Sequence, residues 1–334
     1  MRFLKRGLLL VALLPAFIRP ILSDDVFEAA ERRYREGELA LAEQLYSRVK
    51  PGESQYPQAL FRLGMIYSAT GRPALAEESL RNSLKYRESA VVYSFLAGAQ
   101  FNQKKFTEAR ESALRALQID PRCAKAYTAL GMIYTATNDW PAAQASYRQA
   151  LQIRPEDANA WFLLGRACLH RDEFAKAREA FEKSLHLDAH QVRTYENLAR
   201  TLDLMNEPAG AEKVFREGIR VNQQRKHPDA AILLAYGTFL SKLDRAPESL
   251  AQFREATRIA PKDAGAYYEL ANQLCRVKRW QEAAKVGETA LSMGGSEYRV
   301  HYLLARAYTA MGESEQASKH AQEAAGLADQ SRNR

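Results

Sequence analysis

The chain has 334 residues, with 48 Lys and Arg against 40 Asp and Glu, a formal net charge of +8 and 3 cysteines. That length accommodates two ordinary domains, and three scattered cysteines without a CxxC pair exclude a disulfide framework or a zinc ribbon. Four basic residues, Arg2, Lys5, Arg6 and Arg19, fall near the start with no acid to offset them, so the body of the chain is only weakly basic and is not expected to bind nucleic acid.

Taken in chain order, residues 1–23 combine a basic start with an apolar run, Gly7–Ile18, which Pro15 interrupts and Arg19 ends. The run is too short for a bilayer core, which takes about 20 residues. Its pattern fits a secretory signal peptide with Ser23 at its end, either cleaved or retained as an N-terminal anchor. Membrane contact is expected only through this segment, if it is uncleaved. Export to a bacterial periplasm or envelope follows from it, with a cytoplasmic chain as the alternative.

From Ser23 onward the pattern is helical and repetitive. The clearest stretch is Ala124–Asp157. Tyr127, Leu130, Ile133 and Tyr134 fall at helical spacing over Ala124–Ala136. Thr137-Asn138-Asp139 interrupts them, with Asp139 placed as an N-cap. A second helix runs from Trp140 to about Gln152, with Pro141 in its first turn. The next stretch, Ala158–Gln191, repeats the scheme.

Nine such units fit: Ser23–Tyr56, Pro57–Ser89, Ala90–Cys123, Ala124–Asp157, Ala158–Gln191, Val192–Arg225, Ala230–Asp263, Ala264–Glu297 and Tyr298–Ser331. The eighth, twentieth and twenty-seventh residue of each is small, as in Gly131, Ala143 and Ala150, and Val49 is the exception. The period breaks once, where four extra residues near 226–229 lengthen the polar stretch Asn222–Asp229. We read that as a longer loop rather than a hinge, and residues 332–334 as a polar tail.

A period of 34 residues with these residue types resembles the tetratricopeptide repeat family. The resemblance covers nearly all of the chain beyond Ser23. It implies an all-α fold, a right-handed superhelical solenoid of antiparallel helix pairs. In that family the first helix of each pair lines a concave groove that receives a peptide or helix of a partner protein.

The groove positions implied are the second, fifth, ninth and twelfth of each unit. In the fifth unit they are Asn159, Phe162, Arg166 and Leu169, with His170 beside them. In the sixth they are Arg193, Glu196, Arg200 and Asp203, with Asn197 beside them. Farther on come Tyr268, Asn272 and Cys275, then Arg299, Tyr302, Arg306 and Thr309. Arginine forks suit carboxylates, and amides such as Asn197 suit a peptide backbone. The carboxylate clamp of one subgroup of the family is not matched, because Tyr268 rather than Lys precedes Asn272 by one turn. The second to fourth units offer Phe61, Met65, Ser94, Phe101, Thr128, Met132 and Thr135, a face suited to an apolar segment.

No catalytic constellation is visible: GxGxxG, GxxxxGK[ST], GxSxG and HExxH are all missing from the sequence. His186 and His190 are four apart, but Asp188-Ala189 falls at the end of a unit, so one helix is not expected to present both. The expectation is a non-catalytic scaffold without cofactor or metal, acting through a protein or peptide partner in an envelope assembly. A co-chaperone-like adaptor, cytoplasmic or membrane-anchored, and a regulatory subunit of a separate enzyme are the alternatives.

Overall fold

The computed structural model describes residues 23–295 and 297–332. The expected signal segment lies outside the described residues except for Ser23, and the expected polar tail except for Arg332. All regular structure among the described residues is α-helical and arranged in consecutive pairs. Two compact units form, the first ending at Ala129 and the second beginning at Leu130.

The first unit contains α1 (Ser23–Arg35) with α2 (Leu39–Tyr46), α3 (Tyr56–Ala69) with α4 (Pro73–Leu84), and α5 (Ala90–Asn102) with α6 (Phe106–Ile119). The division falls inside α7 (Ala124–Ala136). The second unit continues through α8 (Trp140–Ile153), α9 (Ala158–Leu169), α10 (Phe174–Leu187), α11 (Val192–Leu204) and α12 (Pro208–Gln223). It ends with α13 (Ala231–Lys242), α14 (Ala246–Ile259), α15 (Ala264–Arg276), α16 (Trp280–Ser292), α17 (Glu297–Met311) and α18 (Ser314–Arg332). Because α10 stops at Leu187, His190 lies beyond the helix that carries His186.

One backbone device makes every pair. The fifteenth residue of each repeat is left-handed: Gly37, Gly71, Lys104, Asn138, Asp172, Asn206, Asp244, Lys278 and Gly312, with φ between 56° and 80°. The next residue then donates its N–H back to a carbonyl five positions earlier, as Lys105 to Gln100 at 3.0 Å and Arg279 to Leu274 at 2.9 Å. This satisfies carbonyls that the helix end would leave unpaired and turns the chain onto the second helix. Asp139, Asp157 and Asp263 cap α8, α9 and α15 with side-chain acceptors at 3.1, 3.0 and 2.9 Å.

Within a pair, a large residue of the second helix lies flat on a small one of the first. A Cβ on Gly131 would sit 2.4 Å from the Tyr147 ring, one on Gly165 2.6 Å from Phe181, and one on Gly237 2.7 Å from Phe253. Those rings are fully buried. The recurring small residues are therefore the floor on which the core rings rest.

Each second helix also packs on the first helix of the next pair. In the second unit α10 touches α9 and α11, α12 touches α11 and α13, α14 touches α13 and α15, and α16 touches α15 and α17. The first helices α9, α11, α13, α15 and α17 also pack on one another in succession. No two second helices of this unit pack to that extent among the described residues. The first helices are thus the inner, more closely spaced layer.

The four-residue insertion follows α12. Asn222 holds it at both ends, donating to the Asp229 carbonyl at 2.7 Å and accepting from the Asp229 N–H at 2.8 Å. At the last pair, His320 is 3% exposed. Its Nδ1 lies 2.8 Å from His301 Nδ1, and its Nε2 lies 3.2 Å from Glu288 Oε1. Burial lowers the His320 pKa, against the pull of Glu288.

Candidate partner-binding groove

The inner layer of the second unit carries two adjoining hollows. The larger, about 630 Å³, is walled by α11, α13 and α15 and closed by Arg299 of α17. Leu234, Ala235, Phe239, Phe215 and Tyr268 make it largely apolar, and Glu196, Arg200, Asp203, Lys242 and Glu269 add charge. The smaller, about 380 Å³, lies between α9 and α11 and is lined by Arg166, Leu169, His170, Asp172 and Asn197. Arg200 and Leu204 border both.

The charges in this wall are unevenly satisfied. Lys242 is paired with Asp203 at 2.5 Å. Arg200 stands 4.0 Å from Glu196. Burial pushes the Glu196 carboxyl above its ordinary pKa, opposed by Arg200. Burial does the same to Glu269, opposed by Arg299. Arg299 lies over the Tyr268 ring at 4.5 Å, a cation–π geometry.

Of the residues expected on the groove, the structure gathers Arg166, Asn197 and Arg200 around the smaller hollow, and Arg200 and Tyr268 around the larger. Phe162 is half-buried and packs on Phe181 at 6.1 Å, with Arg166 over its own ring at 5.8 Å. Asn159 and Arg193 are exposed at the ends of their helices, and Asn272 is half-buried. Tyr302 is 62% exposed, and Arg306 lies over the Trp280 ring at 5.8 Å. None of these last six borders either hollow.

In the first unit, Phe61 packs edge-on against Phe95 at 5.4 Å, and Phe101 lies 5.7 Å from Phe106. Met65 is half-buried beside Arg62; in the second unit, Met132 packs on that unit's own core. Two expectations are corrected. Cys275 is buried in the apolar cluster with Val300 and Leu304 of α17, because α15 turns that position toward its neighbour. Ser94 is also buried, its hydroxyl turned back to the Val91 carbonyl at 2.7 Å.

Ala231, Leu234 and Thr238 line the larger hollow but were not singled out from sequence. They stand at the second, fifth and ninth positions of the seventh repeat, so the spacing rule itself finds them. They are neither aromatic nor charged, which is why chemistry alone did not draw attention to them.

Tetratricopeptide repeat profiles match residues 57–89, 88–156, 128–191 and 298–331. No curated protein matches the chain in sequence. Among solved structures, the Cut9–Hcn1 hetero-tetramer of the APC/C is similar, with a TM-score of 0.60 at 16% identity over 87% of this chain and 57% of that one. Yeast Tom70 gives 0.59 at 14% identity over 90% and 66%. Pseudomonas aeruginosa pilF gives 0.54 at 23% identity over 63% and 95%. The chain thus spans under two thirds of the length of the Cut9–Hcn1 and Tom70 chains, and at these identities the likeness is one of fold. The repeated helix pair, its left-handed turn and the profiles that match about half of the chain agree: this protein belongs to the tetratricopeptide repeat family.

Proposed function

We propose that this protein is a non-catalytic adaptor that holds an extended peptide or a helix of a partner protein along the first-helix face of its second unit. The observation that carries the reading is the pair of hollows that adjoin at Arg200 and Leu204 and draw their walls from successive first helices. An apolar recess with a few converging polar groups is the ordinary form of a binding site. The Cut9–Hcn1 hetero-tetramer shows that a chain of similar fold serves in a protein assembly. Placement of the adaptor in a bacterial cell envelope rests on the basic and apolar pattern of residues 1–23.

The test is site-specific photocrosslinking in cells. A crosslinker at Leu234 or Tyr268 should trap a partner, and one at Glu179, on the outer helix α10, should not. Arg166→Glu with Arg200→Glu should weaken capture. Equal adducts from Glu179, or unchanged capture by the charge-reversed protein, would overturn the groove reading. Recovery of full-length chain beginning at Met1 in a soluble cytosolic fraction would overturn export.

A further inference from the structure

We infer that the groove of the second unit selects an acidic extended peptide that seats one apolar side chain in the hollow between α11, α13 and α15. This rests on the groove reading above and adds the chemistry of the partner.

The argument comes from how the arginines are paired. Every arginine on the second helices α10, α12 and α14 has a carboxylate at hand. Arg178 meets Glu182 at 2.8 Å, Arg216 meets Glu212 at 2.6 Å, and Arg220 meets Glu217 at 2.6 Å. Arg254 meets Glu282 at 3.4 Å and Arg258 meets Glu255 at 2.5 Å. The inner helices differ. Among the described residues, Arg166, Arg193, Arg299 and Arg306 have no carboxylate within 4.0 Å, and Arg200 has only Glu196 at that limit. The arginines of α10, α12 and α14 are thus neutralised on their own surface, although Arg148 of α8 meets only the Gln144 amide; on the inner helices Arg276 meets Asp244 at 3.7 Å, and the others are left to solvent or to an aromatic ring. Exposed like charges gathered on one face form a field that attracts the opposite sign.

The hollow's own acids lie deeper than its cations. The Arg200 side chain is 58% exposed and that of Glu196 only 19%. A ligand carboxylate therefore meets the guanidinium first, and planar forks can take it in two parallel bonds. Below the rim, Leu234, Ala235, Phe239 and Tyr268 offer a recess for an aliphatic or aromatic anchor. A polynucleotide fits less well, because a phosphate at every step would also meet Glu196, Asp203 and Glu269.

The reach sets the length. Neighbouring helices lie about 9 Å apart, so the four steps from α9 to α17 span about 36 Å, or about 11 residues of extended chain. Arg166 and Arg200 stand one repeat apart, which corresponds to carboxylates about three residues apart in the ligand.

The test uses the full-length protein and a displayed library of random twelve-residue peptides. Enriched sequences are resynthesised and titrated by fluorescence anisotropy against wild type, Arg200→Glu with Arg299→Glu, and Thr238→Trp, whose ring fills the hollow. The expected result is enrichment of Asp and Glu around an apolar residue. Charge reversal should then weaken binding about tenfold or more, added salt should weaken it, and Thr238→Trp should abolish it. Neutral or basic peptides that Thr238→Trp still blocks would overturn the acidic preference and leave the groove reading standing. Peptides indifferent to Thr238→Trp would overturn both. A library that enriches nothing, or a twelve-nucleotide single strand that competes as well as the acidic peptides, would overturn the inference.

Discussion

Lys104 and Lys278 do the work of glycine without being glycine, and replacing them tests how the helix pairs are made. Both stand at the left-handed turn, with φ of 61° and 62°. Holding an L-residue there costs about 1–2 kcal/mol, because Cβ crowds the following carbonyl. Glycine removes that crowding and loses about 0.5–1 kcal/mol in added unfolded-state freedom. The net expectation is a gain of about 0.5–1 kcal/mol for each of Lys104→Gly and Lys278→Gly. The sites lie in different units, so their effects should add. Urea denaturation followed by circular dichroism should place each midpoint about 0.3 M higher. Slower amide exchange at Lys105 and Arg279, the donors that close these turns, would localise the effect. Unchanged midpoints for both variants, with Gly71→Ala and Gly312→Ala equally harmless, would refute the claim that the turn conformation limits stability.

The core floor gives a second prediction. Gly165→Ala should destabilise by about 1–3 kcal/mol despite alanine's better helix propensity, since its Cβ would meet Phe181 at 2.6 Å. Gly326→Ala, with open space around it, should stabilise by about 0.5–1 kcal/mol in the same denaturation assay. Glu212 has its pKa lowered to about 2, chiefly by Arg245 with help from Arg216. It therefore adds stability above its unfolded value of 4.5 that is lost as pH falls toward 2, and Glu212→Gln should flatten that part of the stability profile. His320 acts at milder pH. Its folded pKa is lowered by burial, so the unfolded chain takes up the proton more readily, and stability should fall as pH drops below the unfolded value of 6.5. The two facing nitrogens share one proton without difficulty and repel with two. Protection factors for amide exchange in α17 and α18, corrected for the intrinsic rate at each pH, should fall between pH 7 and 5, and less so in His301→Gln.

Much of the fold was legible because the period is written in side-chain size. Helix α7 and the start of α8 fall where hydrophobic spacing and the Asp139 cap place them. The turn signal was harder to see, since glycine, asparagine, aspartate and lysine all occupy the fifteenth position and share only a backbone angle. Ion pairs within one helix follow from spacing of three or four, as Arg216 with Glu212, but pairs between repeats were not legible. Lys242 meets Asp203 across 39 residues and Arg245 meets Glu212 across 33, so the pairs exist only once the repeats have stacked. For the same reason, spacing alone does not tell which arginines lack an acid from a neighbouring repeat. The burial of Cys275 was hidden because a twelfth-position residue faces either the hollow or the next helix, depending on the residues of that neighbour.

The double tie between Asn222 and Asp229 bears on how this chain tolerates change in length. Because one amide clasps the segment at both ends, the residues between set no alignment for α12 or α13. Lengthening a segment whose ends are already held together costs little, about 0.6 kcal/mol per doubling. A reporter peptide or fluorescent label grafted between Arg225 and Pro228 should leave the flanking helices in register, which makes this bend a practical handle for following the protein in cells.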